Sequence, residues 1–279
     1  MLGNKELVLN VDFFDYAFYL KRAITEEDIK NLLLRTKKAG FDRVNWRLSV
    51  CGKLAYHTKA GHRFDGEGEK GRPESRYLVD TMELLDPLEV AVRYAKELGI
   101  KIFAWYTPFD QGGVSDLTDE PYGGMTCNFL KQNPQFQMLS RDGKKYYKGV
   151  PSFAYPEVQE YHLGIVEELL GYGVDGLHLC LNSHSPRTAS ENHLDFGYNQ
   201  PVVDEYKRRY GIDIRKEEFD VFQWGRLRGE YLTEFLRKVR KKAEKSGAEI
   251  GINSGRIFGA YGDFDYQYCW LHFDWETWA

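Results

Sequence analysis

The sequence is poor in cysteine, and its four cysteines lie far apart in the chain. Cys51, Cys127, Cys180 and Cys269 include no closely spaced pair. This spacing argues against a zinc knuckle and against a dense disulfide framework, because both need cysteines at short intervals. We expect free thiols.

The sequence also lacks long apolar runs and a large excess of charge. No stretch of about 18 consecutive apolar residues occurs, and the N-terminus has no basic segment followed by an apolar one, so neither a membrane span nor a signal peptide is predicted. The formal net charge of −4 provides no basic field for phosphates. We therefore expect a cytoplasmic protein that binds neither nucleic acid nor membranes. The sequence does not predict an oligomeric state.

Glycine-rich nucleotide loops and standard metal motifs are absent as well. The first predicted strand runs into DFFDYAF, residues 12–18, instead of a GxGxxG or Walker-type loop. His178, His184 and His193 have the spacing of no standard metal motif, and hydrogen-bonded or solvated histidines are the simpler interpretation. The sequence therefore predicts no bound metal and no cofactor.

Aromatic residues are abundant, at 15% of the chain with 19 Tyr, 17 Phe and 6 Trp. Many of them fall in loop-like segments rather than in periodic ones. Flat aromatic faces stack well on sugar rings, although aromatic residues also fill ordinary cores. The composition is therefore compatible with sugar binding and with plain core packing.

Hydrophobic periodicity predicts five alternating strand and helix units. The predicted strands are residues 7–14, 42–50, 101–109, 177–182 and 248–255. Segments with helical apolar spacing separate them, and Thr25 and Asp86 are expected to cap two of these helices. This order is typical of a parallel sheet with right-handed crossovers.

Loop lengths indicate which parallel fold to expect. Long loops after the strands and short turns before them favour an α/β fold of the (β/α)8 TIM-barrel type, with an open five-stranded sheet as the alternative. Because a complete barrel needs eight units, we expect residues 1–279 to form a single barrel domain that is truncated after about five βα units and lacks strands six to eight.

Polar residues alternate with apolar ones in these strands and become denser toward the carboxyl ends. If the apolar set faces the helices, the residues that face a common axis include Asp12, Arg47, Trp105, His178, Asn182 and Asn253. An unpaired buried polar group costs about 1 to 3 kcal/mol, so such a cluster needs either mutual hydrogen bonds or a ligand. One interpretation is an internal network in which Asp12 pairs with Arg47. The other is a site at the carboxyl face, where barrel enzymes place theirs.

Two long segments carry a family resemblance. DPLEVAVRYAKELGIKIFAWYTPF, residues 86–109, and the run from NPQFQMLSRDG to YGVDGLHL, residues 133–179, resemble the glycosyl hydrolase-like 10 family of bacterial TIM-barrel proteins. The resemblance extends over residues 80–260 and implies a (β/α)8 barrel with a carbohydrate substrate, a glycoside. Where that family commonly has a carboxylate near the end of strand four, this chain has Cys180 or Leu181.

This departure leaves the acid pair of a glycosidase incomplete, since glycoside hydrolysis ordinarily needs two carboxyl groups. Asp12 is the one acid at the inward strand positions and is our candidate catalytic acid or nucleophile. A second carboxyl group could come from the missing strands, could be absent, or could come from a loop residue, the candidates being Asp15, Asp110, Glu191 and Asp195.

The predicted substrate-binding residues are Arg47, Trp105, His178, Asn182, His184, Asn253 and Arg256. Trp105 would stack on a sugar ring, the two histidines would bond hydroxyl groups, and the two arginines would hold an anionic group or form internal ion pairs. We expect a glycoside hydrolase-like protein that binds a poly- or oligosaccharide. The alternatives are a noncatalytic sugar-binding barrel and a barrel enzyme of another class, such as an aldolase or a metal-dependent hydrolase. No inward lysine is predicted, which weighs against an aldolase.

Overall fold

The computed structural model describes residues 5–67, 75–112, 125–181, 194–253, 266–267 and 271–278. The strands in these ranges are β1 (Val8–Val11), β2 (Arg43–Arg47), β3 (Ser49–Val50), β4 (Lys53–Leu54), β5 (His62–Arg63), β6 (Lys101–Tyr106), β7 (Gln137–Leu139), β8 (Tyr146–Pro151), β9 (Gly176–Cys180), β10 (Glu249–Asn253), β11 (Tyr266–Gln267) and β12 (Leu271–His272). The helices are α1 (Phe13–Leu20), α2 (Glu26–Lys38), α3 (Ser75–Leu84), α4 (Pro87–Leu98), α5 (Asn128–Gln132), α6 (Pro156–Gly171), α7 (Gln200–Tyr210), α8 (Val221–Ser246) and α9 (Trp275–Trp278). A 3₁₀ turn spans Pro134–Phe136.

The main sheet is parallel, and its strand order β1-β2-β6-β9-β10 follows the chain. The order has no reversal of the kind that marks a doubly wound nucleotide-binding sheet. Among the described strands, β1 and β10 form the two edges. The predicted α/β fold with a five-stranded parallel sheet is therefore confirmed, and the described strands do not close into a ring.

One face of the sheet is a continuous apolar surface beneath the crossover helices, where α2 packs beside α4 and α6 beside α8. Nearly all of its side chains are excluded from solvent, among them Val44, Trp46, Ile102, Ala104, Leu177 and Leu179. Trp46 packs against Phe13, with ring centroids 5.1 Å apart, and belongs to the core as its alternation predicts. The polar residues of the same strands point to the opposite face, because strand side chains alternate.

Helix capping follows the sequence signals. Thr25 and Asp28 form a reciprocal capping box at the start of α2, and Asp86 accepts two backbone N–H groups at the start of α4. Gly99 ends α4 in the left-handed region at φ 63°. The antiparallel pair β7–β8 forms a hairpin at Asp142 and Gly143.

The first strand is shorter than its sequence pattern indicates, and the prediction of a strand over residues 7–14 is wrong at its end. β1 stops at Val11, and α1 begins at Phe13. The reason is Asp12, whose carboxylate accepts the N–H groups of Phe14 and Asp15 and so fixes a helix start inside an apolar run. The short sheet β3-β4-β5 and helix α3, both in the long loop after β2, are also additions to the predicted elements.

One carboxylate holds part of this long loop against the helix layer. Glu168 of α6 accepts hydrogen bonds from the Tyr56 hydroxyl at 2.9 Å, the Thr58 hydroxyl at 2.5 Å and the Lys59 N–H at 2.5 Å. The Ala60 N–H adds a longer bond of 3.3 Å. Hydrogen bonds to a charged acceptor are stronger than neutral ones, so Glu168 fixes the path of residues 56–60.

We expect Glu168→Gln to lower the free energy of unfolding by about 1 to 3 kcal/mol, because an amide replaces a charged acceptor and brings an N–H group toward donors. Urea unfolding monitored by circular dichroism measures this change. Glu160→Gln, on the exposed side of the same helix, is the matched control and should be nearly neutral. Equal stability of the two variants would show that the Glu168 contacts do not anchor the loop.

Candidate functional site

Four predicted site residues form a row across adjacent strands at the carboxyl end of the sheet. Arg47 of β2 pairs in register with Trp105 of β6, which pairs with His178 of β9. Asp12 follows Val11, the register partner of Trp46, and therefore lies beside Arg47. We call Asp12, Arg47, Trp105 and His178 the polar row.

The members of the polar row contact one another directly. Arg47 forms an ion pair with Asp12, and its guanidinium carbon lies 5.7 Å from the centroid of the Trp105 ring. The rings of Trp105 and His178 meet edge to face with centroids 5.6 Å apart. The row therefore combines a closed ion pair with an aromatic surface and an imidazole.

The carboxylate of Asp12 is held on both sides. Oδ1 accepts the Phe14 N–H at 3.1 Å and the Asp15 N–H at 3.4 Å, while Oδ2 takes the Arg47 guanidinium. The Asp12 side chain remains 23% exposed, so a ligand can still reach it. These contacts suit a fixed anion, as a nucleophile or an electrostatic partner, better than a proton donor.

Further polar layers lie above and below the row on the same face. Above it, the hydroxyl groups of Ser49 and Thr107 are 2.6 Å apart, and Asn253 of β10 pairs in register with Cys180. Below it, the Asn45 side-chain amide donates to Asn10 Oδ1 at 2.8 Å. Asn45 is buried, and within the described ranges its Oδ1 has no hydrogen-bond partner.

His178 is held in its neutral form. Burial, assisted by the positive charge of Arg43, lowers its pKa to about 4. Nε2 of this imidazole is buried, and no partner for it is found in the part of the chain that the structure describes. A neutral imidazole offers one donor and one acceptor, which is the pattern needed to bond a hydroxyl group.

The structure places five of the eight predicted site residues. Asp12, Arg47, Trp105 and His178 lie together, and Asn253 lies one layer above on the neighbouring strand. The other three, Asn182, His184 and Arg256, lie outside the described residues. The roles assigned to these residues stay predictions.

Two features of this face differ from the sequence analysis. Phe14, on the helix that was not predicted, brings its ring to 5.9 Å from the Arg47 guanidinium. The sequence signal that could have predicted this helix is Asp12 followed by an apolar run, since Asp is a preferred helix cap. Contrary to the expectation of no inward lysine, Lys101 shares the face of Arg43, at the amino end, where it pairs with Glu249.

Three of the four candidates for a second carboxyl group lie within the described residues. Asp15 and Asp195 are exposed, and Glu191 lies outside the described ranges. Asp110 is buried beyond the end of β6, and its Oδ2 accepts the Cys51 N–H at 3.4 Å. Within the described part of the polar row, Asp12 is the one carboxylate.

Two other features of the described residues bear on the choice of site. No group of three side chains suited to metal binding occurs among them, and none of their helices is long and apolar enough to cross a membrane. A groove of about 550 Å³ lies between α8, β10 and α9. Ile250 and Ile252 line it, so it is on the face of β10 opposite Gly251 and Asn253.

The arrangement of these elements is similar to that of solved glycoside hydrolases. The structure is similar to α-L-fucosidase isoenzyme 2 of Paenibacillus thiaminolyticus, at 12% identity and a TM-score of 0.56 over 94% of this chain and 34% of that one. It is also similar to the GH20 exo-β-N-acetylglucosaminidase of Vibrio harveyi, at 12% identity and a TM-score of 0.49 over 92% and 36% of the two chains.

Sequence comparison adds one curated relative. An S-layer-related protein of Niallia circulans is 22% identical over 272 residues, which cover 88% of this chain. The chain spans 16% of the length of that relative. No family model matches the chain, so the resemblance to the glycosyl hydrolase-like 10 family stays a prediction. What the structural comparison shows is a fold similar to that of the fucosidase.

We expect Asp12→Ala to lower the free energy of unfolding by about 1 to 3 kcal/mol, because it removes the cap of α1 and leaves Arg47 without its partner. Asp12→Asn should cost less, since asparagine also caps helices. Urea unfolding of both variants measures the difference. If Asp12→Asn were as damaging as Asp12→Ala, the cap would contribute nothing measurable.

The lowered pKa of His178 predicts a pH dependence of stability. In the unfolded chain a histidine binds its proton near pH 6.5, whereas folded His178 does so near pH 4. The unfolded state therefore binds more protons in this window, and the protein should lose stability as the pH falls from about 6.5 to about 4.

Urea midpoints of the native protein and of His178→Gln at several pH values test this. The variant should lose less stability than the native protein over the same window, because its side chain does not titrate. His162, fully buried with its pKa lowered to about 3, is present in both proteins and cancels in the comparison. Parallel pH profiles would contradict the burial of a neutral His178.

Proposed function

We propose that this chain is a glycoside hydrolase-like protein that binds a poly- or oligosaccharide across the polar row at the carboxyl end of its parallel sheet. The observation that carries the proposal is the contiguity of Asp12, Arg47, Trp105 and His178: Asp12 directly follows β1, and the other three lie side by side on β2, β6 and β9. Parallel α/β folds bind their ligands at this end of the strands.

The chemistry of the row matches a sugar. A sugar ring has apolar C–H faces and a rim of hydroxyl groups, so it is recognised by aromatic surfaces together with uncharged hydrogen-bonding groups. Trp105 supplies the aromatic surface, and His178 and Asn253 the hydrogen-bonding groups beside it. The fold likeness to a fucosidase supports a carbohydrate ligand.

Hydrolysis by this site would require Asp12 as nucleophile or stabilising anion and a second carboxyl group as acid. We propose Asp12 for the first role, because it is fixed, charged and partly exposed. A noncatalytic sugar-binding protein is the second candidate. The observation in its favour is that both oxygens of Asp12 are already engaged by Arg47 and by the start of α1.

We also propose that the five-stranded sheet is part of a (β/α)8 barrel. The strands follow one another in chain order, as barrel strands do, and the polar face is layered as in a barrel interior. Ile250 and Ile252 of the edge strand β10 are only partly buried, whereas the corresponding residues of β9 are fully buried. A further helix and strand beside β10 would cover them. The cytoplasmic location stays a prediction.

We expect Trp105→Ala to weaken oligosaccharide binding by at least about tenfold, since stacking on an aromatic face contributes a large share of sugar affinity. Isothermal titration against a panel of oligosaccharides measures this. Trp275→Ala is the matched control, because Trp275 is exposed and lines the groove away from the polar row. Loss of binding in Trp275→Ala with native affinity in Trp105→Ala would move the site to the groove.

Turnover separates the two candidates. A hydrolase should release the aryl group from at least one of a panel of aryl glycosides. In Asp12→Asn this release should be abolished while oligosaccharide binding persists. Binding without turnover in the native protein would favour the noncatalytic candidate. Turnover that survives in Asp12→Asn would exclude Asp12 from catalysis.

A further inference from the structure

The charged residues on the polar face of the sheet are matched in pairs. Arg43 of β2 pairs with Glu6 at 2.9 Å, Arg47 pairs with Asp12, and Lys101 of β6 pairs with Glu249 of β10 at 2.6 Å. Within the described residues of this face, from Glu6 to Asn253, every charged side chain has an opposite partner. The first two pairs join neighbouring segments of the face, and the pair of Lys101 and Glu249 reaches across β9. The charges of these residues therefore cancel locally as well as in sum.

The other side chains of the face are uncharged. Most are hydroxyl, amide or aromatic groups, with one imidazole, and Val8 and Cys180 add an aliphatic group and a thiol. The polar and aromatic members include Asn10, Asn45, Ser49, Phe103, Trp105, Thr107, His178 and Asn253. Burial lowers the pKa of His178, so this imidazole adds no positive charge at neutral pH. The face therefore presents hydrogen-bonding capacity without a net field.

This arrangement has a direct consequence for ligand charge. An anionic sugar that approached Arg47 would also approach the carboxylate of Asp12, because the two are in contact. Taking a carboxylate or sulfate out of water is costly unless a cation compensates it, and juxtaposed like charges add several kcal/mol of penalty. An uncharged sugar meets neither obstacle and can use the amide, hydroxyl and imidazole groups.

We infer that the polar row selects uncharged saccharides and discriminates against uronate and sulfated ones, an inference that rests on the proposed saccharide binding. Asp12 is the determinant, because it neutralises the arginine that would otherwise attract an anion. This replaces the expectation that Arg47 holds an anionic sugar group. Arg256, the second arginine expected to hold an anionic group, lies outside the described residues.

The test compares oligosaccharides of the same length, anomeric configuration and linkage that differ only in charge, such as an oligogalacturonate and the galacto-oligosaccharide in which each carboxylate is replaced by a hydroxymethyl group, and a gluco-oligosaccharide and its uronate counterpart. Isothermal titration gives Kd at about 0.05 M and about 0.5 M salt, conditions that span weak and strong screening. The neutral member of a bound pair should bind at least about tenfold more tightly, with a Kd that changes less than about twofold with salt.

Asp12→Asn tests the determinant. Asparagine retains the helix cap but leaves Arg47 uncompensated, so the uronate member should gain affinity by about tenfold and its Kd should become salt-dependent. Glu97→Gln removes one negative charge from the exposed surface of α4 and should leave the preference unchanged. Circular dichroism verifies that both variants fold. If Asp12→Asn does not fold, the comparison of neutral and uronate binding by the native protein still tests the inference.

The outcomes separate the inference from the function on which it rests. A native protein that prefers the uronate member, or a folded Asp12→Asn with an unchanged preference, overturns the inference and leaves saccharide binding in place. Failure of every neutral and anionic saccharide to bind overturns both. A neutral preference that moves toward uronates in Asp12→Asn supports the inference.

Discussion

The ion pair between Asp12 and Arg47 is the interaction on which the rest of the polar face depends. It joins the start of α1 to the end of β2 and fixes where the arginine points, while the other oxygen of the same carboxylate caps α1 and so sets where the first strand stops. Arg47 in turn lies against Trp105, and Trp105 against His178. One carboxylate thus neutralises the arginine of the row and orients it toward the aromatic ring of Trp105.

The fold was predictable from the sequence because its signals are local and repeated. The capping pair Thr25 and Asp28, the cap Asp86 and the alternation of leucines around His178 each specify one element and one face. Those elements then fix the sheet, since parallel strands joined by helices have few arrangements. That Arg47, Trp105 and His178 share one face of the sheet followed from the alternation alone.

Other features were not predictable, and the causes are physical. An apolar run such as residues 7–14 fits a strand or a helix, and the choice was made by a cap, Asp12, that the strand pattern concealed. The hold of Glu168 on residues 56–60 joins segments about a hundred positions apart, which no local pattern encodes. The pairing of Arg47 with Asp12 was foreseen only as one of two interpretations, because a sequence does not show which charges meet.

A saccharide that binds on the polar row must lie against Trp105 and His178, so the position of the bound ligand is the decisive measurement. NMR titration of the isotope-labelled protein with a neutral oligosaccharide locates the ligand. The signals to follow are the indole N–H of Trp105 and the ring resonances of His178. We expect saturable chemical-shift changes at these two side chains. The indole signals of Trp275 and Trp278, which line the groove on the other face, should stay unchanged. Shifts confined to those two tryptophans would contradict binding on the polar row.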